Sequence, residues 1–191
     1  MTRVILVTFV VLVSSALAGQ AGTKNSHADA IDTAAPYSDQ HLREIKTLSA
    51  KDISDLRNGR GWGLAKAAEL NGLPGPAHLL ELKDEISLSP GQIAKIEALF
   101  STMKARAIPR GEKLVALERH LNESFAANDI ASSSALREQL SNIAKVRRDL
   151  RFVHLSTHLE TPLILTRTQI DSYNRLRGYG ERRNHGGHRH D

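Results

Sequence analysis

The sequence predicts an all-α protein: a long antiparallel helical hairpin with short N-terminal helices and a short C-terminal helix. Three observations carry this. Apolar residues recur at helical spacing in two long stretches, the first through Ile93, Ile96, Leu99, Phe100 and Met103 and on through Leu114, Leu117, Leu121 and Phe125. The second runs through Leu136, Leu140, Ile143, Val146, Leu150 and Val153. Helix-start signatures stand at Leu88-Ser89-Pro90-Gly91-Gln92 and, 77 residues later, at Leu165-Thr166-Arg167-Thr168-Gln169. Aromatic residues make up only 4% of the chain against 25% charged, a balance that suits aliphatic helix packing better than a β-sandwich.

The start signatures have a physical content. The hydroxyl of Ser89 or Thr166 can accept from a free backbone N–H of the first helical turn, while Gln92 or Gln169 reaches back to the cap. Pro90 falls where its missing N–H is harmless. Leu88 with Ile93, and Leu165 with Ile170, form the flanking apolar pairs that set the angle of chain entry. A looser third copy, Leu48-Ser49-Ala50-Lys51-Asp52-Ile53, places Asp at the reach-back position. Helices are therefore expected to start near residues 49, 89 and 166.

In chain order, Arg3, the apolar run 4–13 and the small residues Ala16 and Ala18 read as a signal peptide over 1–18, cleaved near Ala18, which directs the chain to the periplasm. The run is too short to span a bilayer, which takes about 20 apolar residues, and no later run is long enough either. Residues 19–46 are rich in Gly, Ala, Ser, Asp and Thr and are expected to be a flexible leader. The helical domain is expected over 47–178. Short helices are predicted over 49–58, stopped by Gly59-Arg60-Gly61, over 62–70, stopped by Asn71-Gly72, and over 77–86 after the break Pro74-Gly75-Pro76.

The first long helix starts at Ser89 and meets Ile108-Pro109-Arg110-Gly111, where the proline is expected to kink it; a split into two helices is the competing reading. Asn128-Asp129 is a turn, Ser132-Ser133-Ser134 offers caps, and the second long helix runs to about 160, where Thr161-Pro162 ends or bends it. The last helix, from Thr166 to about 177, closes at Gly178. Residues 179–191 form a His- and Arg-rich tail, expected to be disordered. A core of one stripe per helix is thin, and homodimerisation is the expected remedy.

Two such capping motifs bracketing a long helical stretch behind an export signal resemble the Spy/CpxP family of periplasmic stress proteins, which includes zinc-linked heavy-metal sensors. Its mark is a repeated Leu-Thr-x-x-Gln, and the residues concerned here are Leu88, Ser89, Gln92, Leu165, Thr166 and Gln169. The first copy has Ser in place of Thr, and the resemblance covers roughly residues 76–178. It implies an antiparallel, curved dimer whose concave face holds partly unfolded proteins without ATP. The Pro109–Gly111 interruption departs from the unbroken helix the family implies.

Chemistry-bearing patterns are sparse. The sequence has no cysteine, no nucleophile elbow, no phosphate loop and no His-Glu-x-x-His, so no enzymatic activity is expected. Gly59, Gly61 and Gly63 follow no strand and read as a loop. The net charge of +5, falling to +4 when Arg3 leaves with the signal, favours acidic clients without amounting to a nucleic-acid footprint. Arg147, Arg148, Arg151, Phe152 and Leu155 mix basic and apolar groups in the way a client-holding face needs, with Lys104, Arg106 and Arg110 on the first helix; the alternative is that the basic residues only solvate the surface while Phe152 packs in the core.

No cofactor is required, but zinc or another divalent transition metal has two candidate sites. His154 and His158 are four apart and share a helix face, with His120 or a dimer mate as a third ligand; the alternative places the pair in an outward polar stripe with Arg147, Arg151 and Leu155. His185, His188 and His190 lie on a glycine-spaced tail that either binds metal or only solubilises the chain. A metal-responsive regulator of a membrane sensor kinase is thus the second functional expectation.

Overall fold

Capping chemistry and the turn residues place six α-helices in the computed structural model, which describes residues 36–179. They are α1 (Ala50–Arg57), α2 (Lys66–Glu69), α3 (Pro76–Glu81), α4 (Pro90–Ala126), α5 (Ser133–Glu160) and α6 (Arg167–Leu176), with 3₁₀ turns at Ser38–Leu42 and Thr161–Ile164. No β-strand occurs among the described residues, so the all-α class holds; an isolated bridge joins Ile45 and Leu48. The expected signal peptide, the expected leader up to residue 35 and the tail from residue 180 lie outside the described residues.

All three expected capping boxes are formed. Ser49, Ser89 and Thr166 accept from the backbone N–H of Asp52, Gln92 and Gln169, and those side chains bond back to the cap N–H. Helix ends follow sequence as well. Gly59, Asn128 and Gly178 all take positive φ just past α1, α4 and α6, and the N–H of the next residue closes each turn onto a carbonyl of the last turn (Arg60 to Asp55, Asp129 to Ser124, Tyr179 to Asn174).

The two glutamines do more than cap. Gln92 Nε2 donates to Gln169 Oε1 at 2.8 Å, and Gln169 Nε2 returns the bond to Gln92 Oε1 at 3.0 Å. Their second amide hydrogens go to the carbonyls of Ile164 (2.9 Å) and Ser87 (3.2 Å), each two residues before the opposite cap. Gln92 Oε1 accepts twice, Gln169 Oε1 accepts from Gln92 and from both the N–H and hydroxyl of Thr166, and each amide nitrogen donates twice, so the pair is saturated. This clasp locks the start of α4 to the start of α6 over a cluster of Leu79, Ile86, Leu88, Ile96 and Tyr173, with Ile93 and Leu165 beside it.

α4 is uninterrupted through Pro109. The proline and Ala105, whose carbonyl loses its partner, are both exposed, so that carbonyl turns to water. The sequence's apparent interruption is a docking notch instead. A Cβ on Gly111 would overlap the carbonyl oxygen of Leu56, and Gly59 lies against Ala107 and the Lys104 backbone, so small residues on α4 admit the end of α1. α4 packs most extensively on α5, through Met103, Ala107, Leu114 and Val115 against Ile143, Val146, Leu150 and Val153. Gln92 meets Ile164 near one end of this pairing and Ser124 meets Gln139 near the other.

Other expectations shift. Residues 37–46, read as leader, are tied down: Ile45 is fully buried, Lys46 N–H donates to Asn122 Oδ1, and Glu44 pairs with Arg119. The helix expected over 62–70 shortens to α2, because Trp62 and Gly63 both take positive φ, and α3 ends at Glu81 rather than 86, where turns lead to Ser87, again at positive φ. Phe125 and Leu140 continue the apolar stripes in sequence yet are 59% and 47% exposed, since near the α4–α5 connection the facing positions are Ser124 and Gln139. Tyr179, assigned to the tail, gives its hydroxyl to Glu69, which also takes Arg177 and has His78 Nδ1 at 2.9 Å. Burial opposes ionisation of Glu69, but His78, Tyr179 and Arg177 together hold its carboxyl below the ordinary value.

Two tests follow from this packing. A double-mutant cycle with Gln92→Ala and Gln169→Ala should give a coupling of about 1–2 kcal/mol in urea denaturation, beyond the separate loss of two caps, because either truncation orphans the other amide; additive costs would contradict the clasp. Gly111→Ala should destabilise by about 1–3 kcal/mol through overlap with Leu56. Gly91→Ala, where a Cβ would meet nothing among the described residues beyond its own stretch of helix, should be neutral or stabilising by up to about 1 kcal/mol; matching signs at the two glycines would refute the notch.

Candidate functional site

The five residues expected to form a client face converge in one groove. Arg147, Arg148, Arg151, Phe152 and Leu155 of α5, with Ala144, line an opening of about 690 Å³ whose opposite wall is Trp62, Gly63 and Leu64. Phe152 is 68% exposed rather than packed in the core. Arg148 is paired with Asp149, and the Arg147 guanidinium lies over the Trp62 ring, 4.9 Å from its centroid.

Trp62 is the residue whose part in this site the sequence reading missed. It carries φ +42°, an unfavourable value for a bulky side chain, between Gly61 and Gly63. Its indole N–H donates to Asp52 Oδ1 at 2.8 Å, while Asp52 Oδ2 accepts from the Ser49 N–H and hydroxyl. The carboxylate that closes the first capping box therefore also anchors the wall of the groove. The Ser49 hydroxyl, ahead of the opposing effect of burial, holds the Asp52 carboxyl below the ordinary value. The legible signal was Gly-Trp-Gly, since flanking glycines permit a loop tight enough to present a tryptophan.

Behind Trp62, which lines both spaces, lies a second cavity of about 630 Å³. α5 contributes His154 and His158, α4 contributes Phe100, Met103 and Lys104, and the segments around α1 to α3 contribute Asp55, Glu69 and His78 among others. The outward polar stripe expected for the histidines is not what forms: His154 is 3% and His158 6% exposed, facing inward away from Arg147 and Arg151. His158 Nδ1 lies 2.8 Å from the Leu73 carbonyl, which can only accept, so that nitrogen carries a proton and, in the neutral ring, Nε2 is the one left with a lone pair. Gly75 makes room for the ring, since a Cβ there would stand 2.6 Å from Cε1 and Nε2. His154 Nε2 is buried and has no hydrogen-bond partner among the described residues.

His120 does not join them. It is exposed, one turn before Ser124, and Ser124 faces Gln139, so His154 is about 22 Å further along α5. Among the described residues no three His, Cys, Asp or Glu side chains converge as a metal centre. His185, His188 and His190 lie outside the described residues. No described helix is long and apolar enough to cross a membrane. The chain matches no family model, no curated protein and no solved structure.

Burial, reinforced by the neighbouring His158, pushes the His154 imidazole down to about 4 from an ordinary 6.5. The unfolded chain then binds a proton between those values that the folded chain refuses, so the contribution is full above pH 6.5 and is lost as pH falls toward 4. Stability should drop by on the order of 3 kcal/mol across that window, before the carboxylates Asp52, Asp55 and Glu69, whose affinity for protons is lowered, titrate below it. His154→Leu should flatten the dependence in denaturant melts between pH 7 and 4; an unchanged slope would assign it elsewhere.

Proposed function

We propose that the chain is an exported, ATP-independent holdase of the Spy/CpxP type, with the α4–α5 pair as a helical hairpin that dimerises and the Trp62–Phe152 groove as a place where clients are held. The groove carries this reading. It sets a tryptophan and a phenylalanine among three arginines, offering apolar contact to exposed core segments and positive charge to steer acidic ones. The apolar character continues past it: Phe152, Leu155, Leu159 and Leu163 fall at helical spacing, and Leu159 and Leu163 are 65% and 86% exposed. Soluble domains seldom leave such a stripe uncovered unless something binds there. The interlocked capping motifs support the family reading, because they use the residues of the repeated Leu-Thr-x-x-Gln.

The test is light scattering by a chemically denatured, aggregating client with rising amounts of the mature protein, in EDTA and again with zinc. Suppression in EDTA is expected. Phe152→Ala should leave thermal melting unchanged, because the ring is mostly in solvent, while weakening protection roughly 5- to 30-fold, as for an interface anchor costing about 1–2 kcal/mol. Arg151→Glu should slow client capture and reduce its salt dependence. Full protection by both variants would remove the groove from the reading. Failure of the parent protein with and without zinc would overturn the holdase and favour the metal-responsive regulator of a sensor kinase.

A further inference from the structure

The proposed client holding makes no use of the cavity behind Trp62, whose most unusual member is His154 Nε2, unpartnered among the described residues. Buried polar atoms are nearly always satisfied, and an imidazole left bare at 3% exposure costs stability with no return inside the fold. What such an atom offers is a buried lone pair. His158 offers another in its neutral form, because the Leu73 carbonyl holds its Nδ1 proton, and a carbonyl that fixes the ring's tautomer is the usual support behind a metal-binding histidine. The pair sits one helical turn apart on α5, so the two rings share a helix face.

The third member comes from α4. Gln92 meets Ile164 and Ser124 meets Gln139, and interpolation along this pairing sets Met103 opposite the stretch holding His154. Met103 is 6% exposed and lines the same cavity. Zinc takes four ligands in structural sites and three in catalytic ones, drawn from His, Cys, Asp and Glu, and no such trio converges among the described residues. Asp55 is engaged by Lys51 and Arg60, and Glu69 by Arg177 and Tyr179, so neither carboxylate is free to complete one. Two neutral imidazoles and a thioether suit a soft monovalent ion that tolerates low coordination. We infer that His154, His158 and Met103 form a binding site for Cu(I), reached through the cavity that Trp62 borders and independent of the client groove.

The experiment uses the mature protein carrying His185→Ser, His188→Ser and His190→Ser, which removes the tail as a competing site. Cu(I), kept reduced with ascorbate, is titrated in competition with a chromophoric Cu(I) chelator. One equivalent should bind, with sulfur scattering in the copper X-ray absorption spectrum. His154→Leu and Met103→Leu, both apolar replacements that the core accommodates, should each weaken binding by more than about tenfold, the lower bound set by losses of supporting groups alone. Met103→Leu should also abolish the sulfur signal. Excess Zn²⁺ should not displace the copper. The inference is overturned if the tail variant takes up no Cu(I), if either leucine variant binds as tightly as its parent, or if zinc displaces copper.

Discussion

The reciprocal amide bond between Gln92 and Gln169 is the constraint on which much of the structure rests. Each glutamine closes a cap on its own helix and then spends its remaining donor on a carbonyl beside the other's cap. A neutral hydrogen bond contributes only about 1 kcal/mol net, so the force of the arrangement lies in its completeness: no member can leave without orphaning the others. Holding the starts of α4 and α6 together fixes the 3₁₀ turn at Thr161–Ile164, and with it the end of α5. That end carries His158, whose bond to Leu73 in turn seats the Pro74–Gly75 segment over the cavity.

A second shared group organises the other side. Asp52 caps α1 and holds the Trp62 indole, so the same carboxylate that starts a helix also sets one wall of the groove. Trp62 adopts a backbone conformation that costs a non-glycine residue roughly 1–2 kcal/mol, and three things offset it: the bond to Asp52, the Arg147 guanidinium over its ring, and packing against the main core. α1 can lie close enough for this only because Ala107 and Gly111 leave a notch in α4. A strained tryptophan borders two spaces of different chemistry, one basic and apolar, the other lined by His154, His158 and Met103 together with charged side chains of both signs.

What could be read from the sequence depended on range. The three caps, the Asn128 and Gly178 helix ends, and Pro90 at a helix start were legible because each depends on residues within one turn. The grouping of Arg147, Arg148, Arg151, Phe152 and Leu155 was legible because helical spacing alone places them on neighbouring faces. The inward orientation of His154 and His158 was not, because α3 and the Gly75 segment cover what a two-helix scheme leaves as an outer surface. The anchoring of Ile45 was hidden for the same reason: a polar segment with one well-placed isoleucine looks like a linker until its partners on α4 are known.

The sequence by itself determined that this is a helical protein, where its main helices begin, and that Arg147, Arg148, Arg151, Phe152 and Leu155 cluster within three turns of α5, since all of these follow from hydrogen bonds and periodicities local to the chain; that Phe152 faces solvent rather than the core was decided by packing. Only the tertiary structure decided that two caps would clasp, that Gly111 would be a seat rather than a break, and that Met103 would share a cavity with two histidines, since each joins residues about 50 to 80 positions apart whose encounter depends on helix packing.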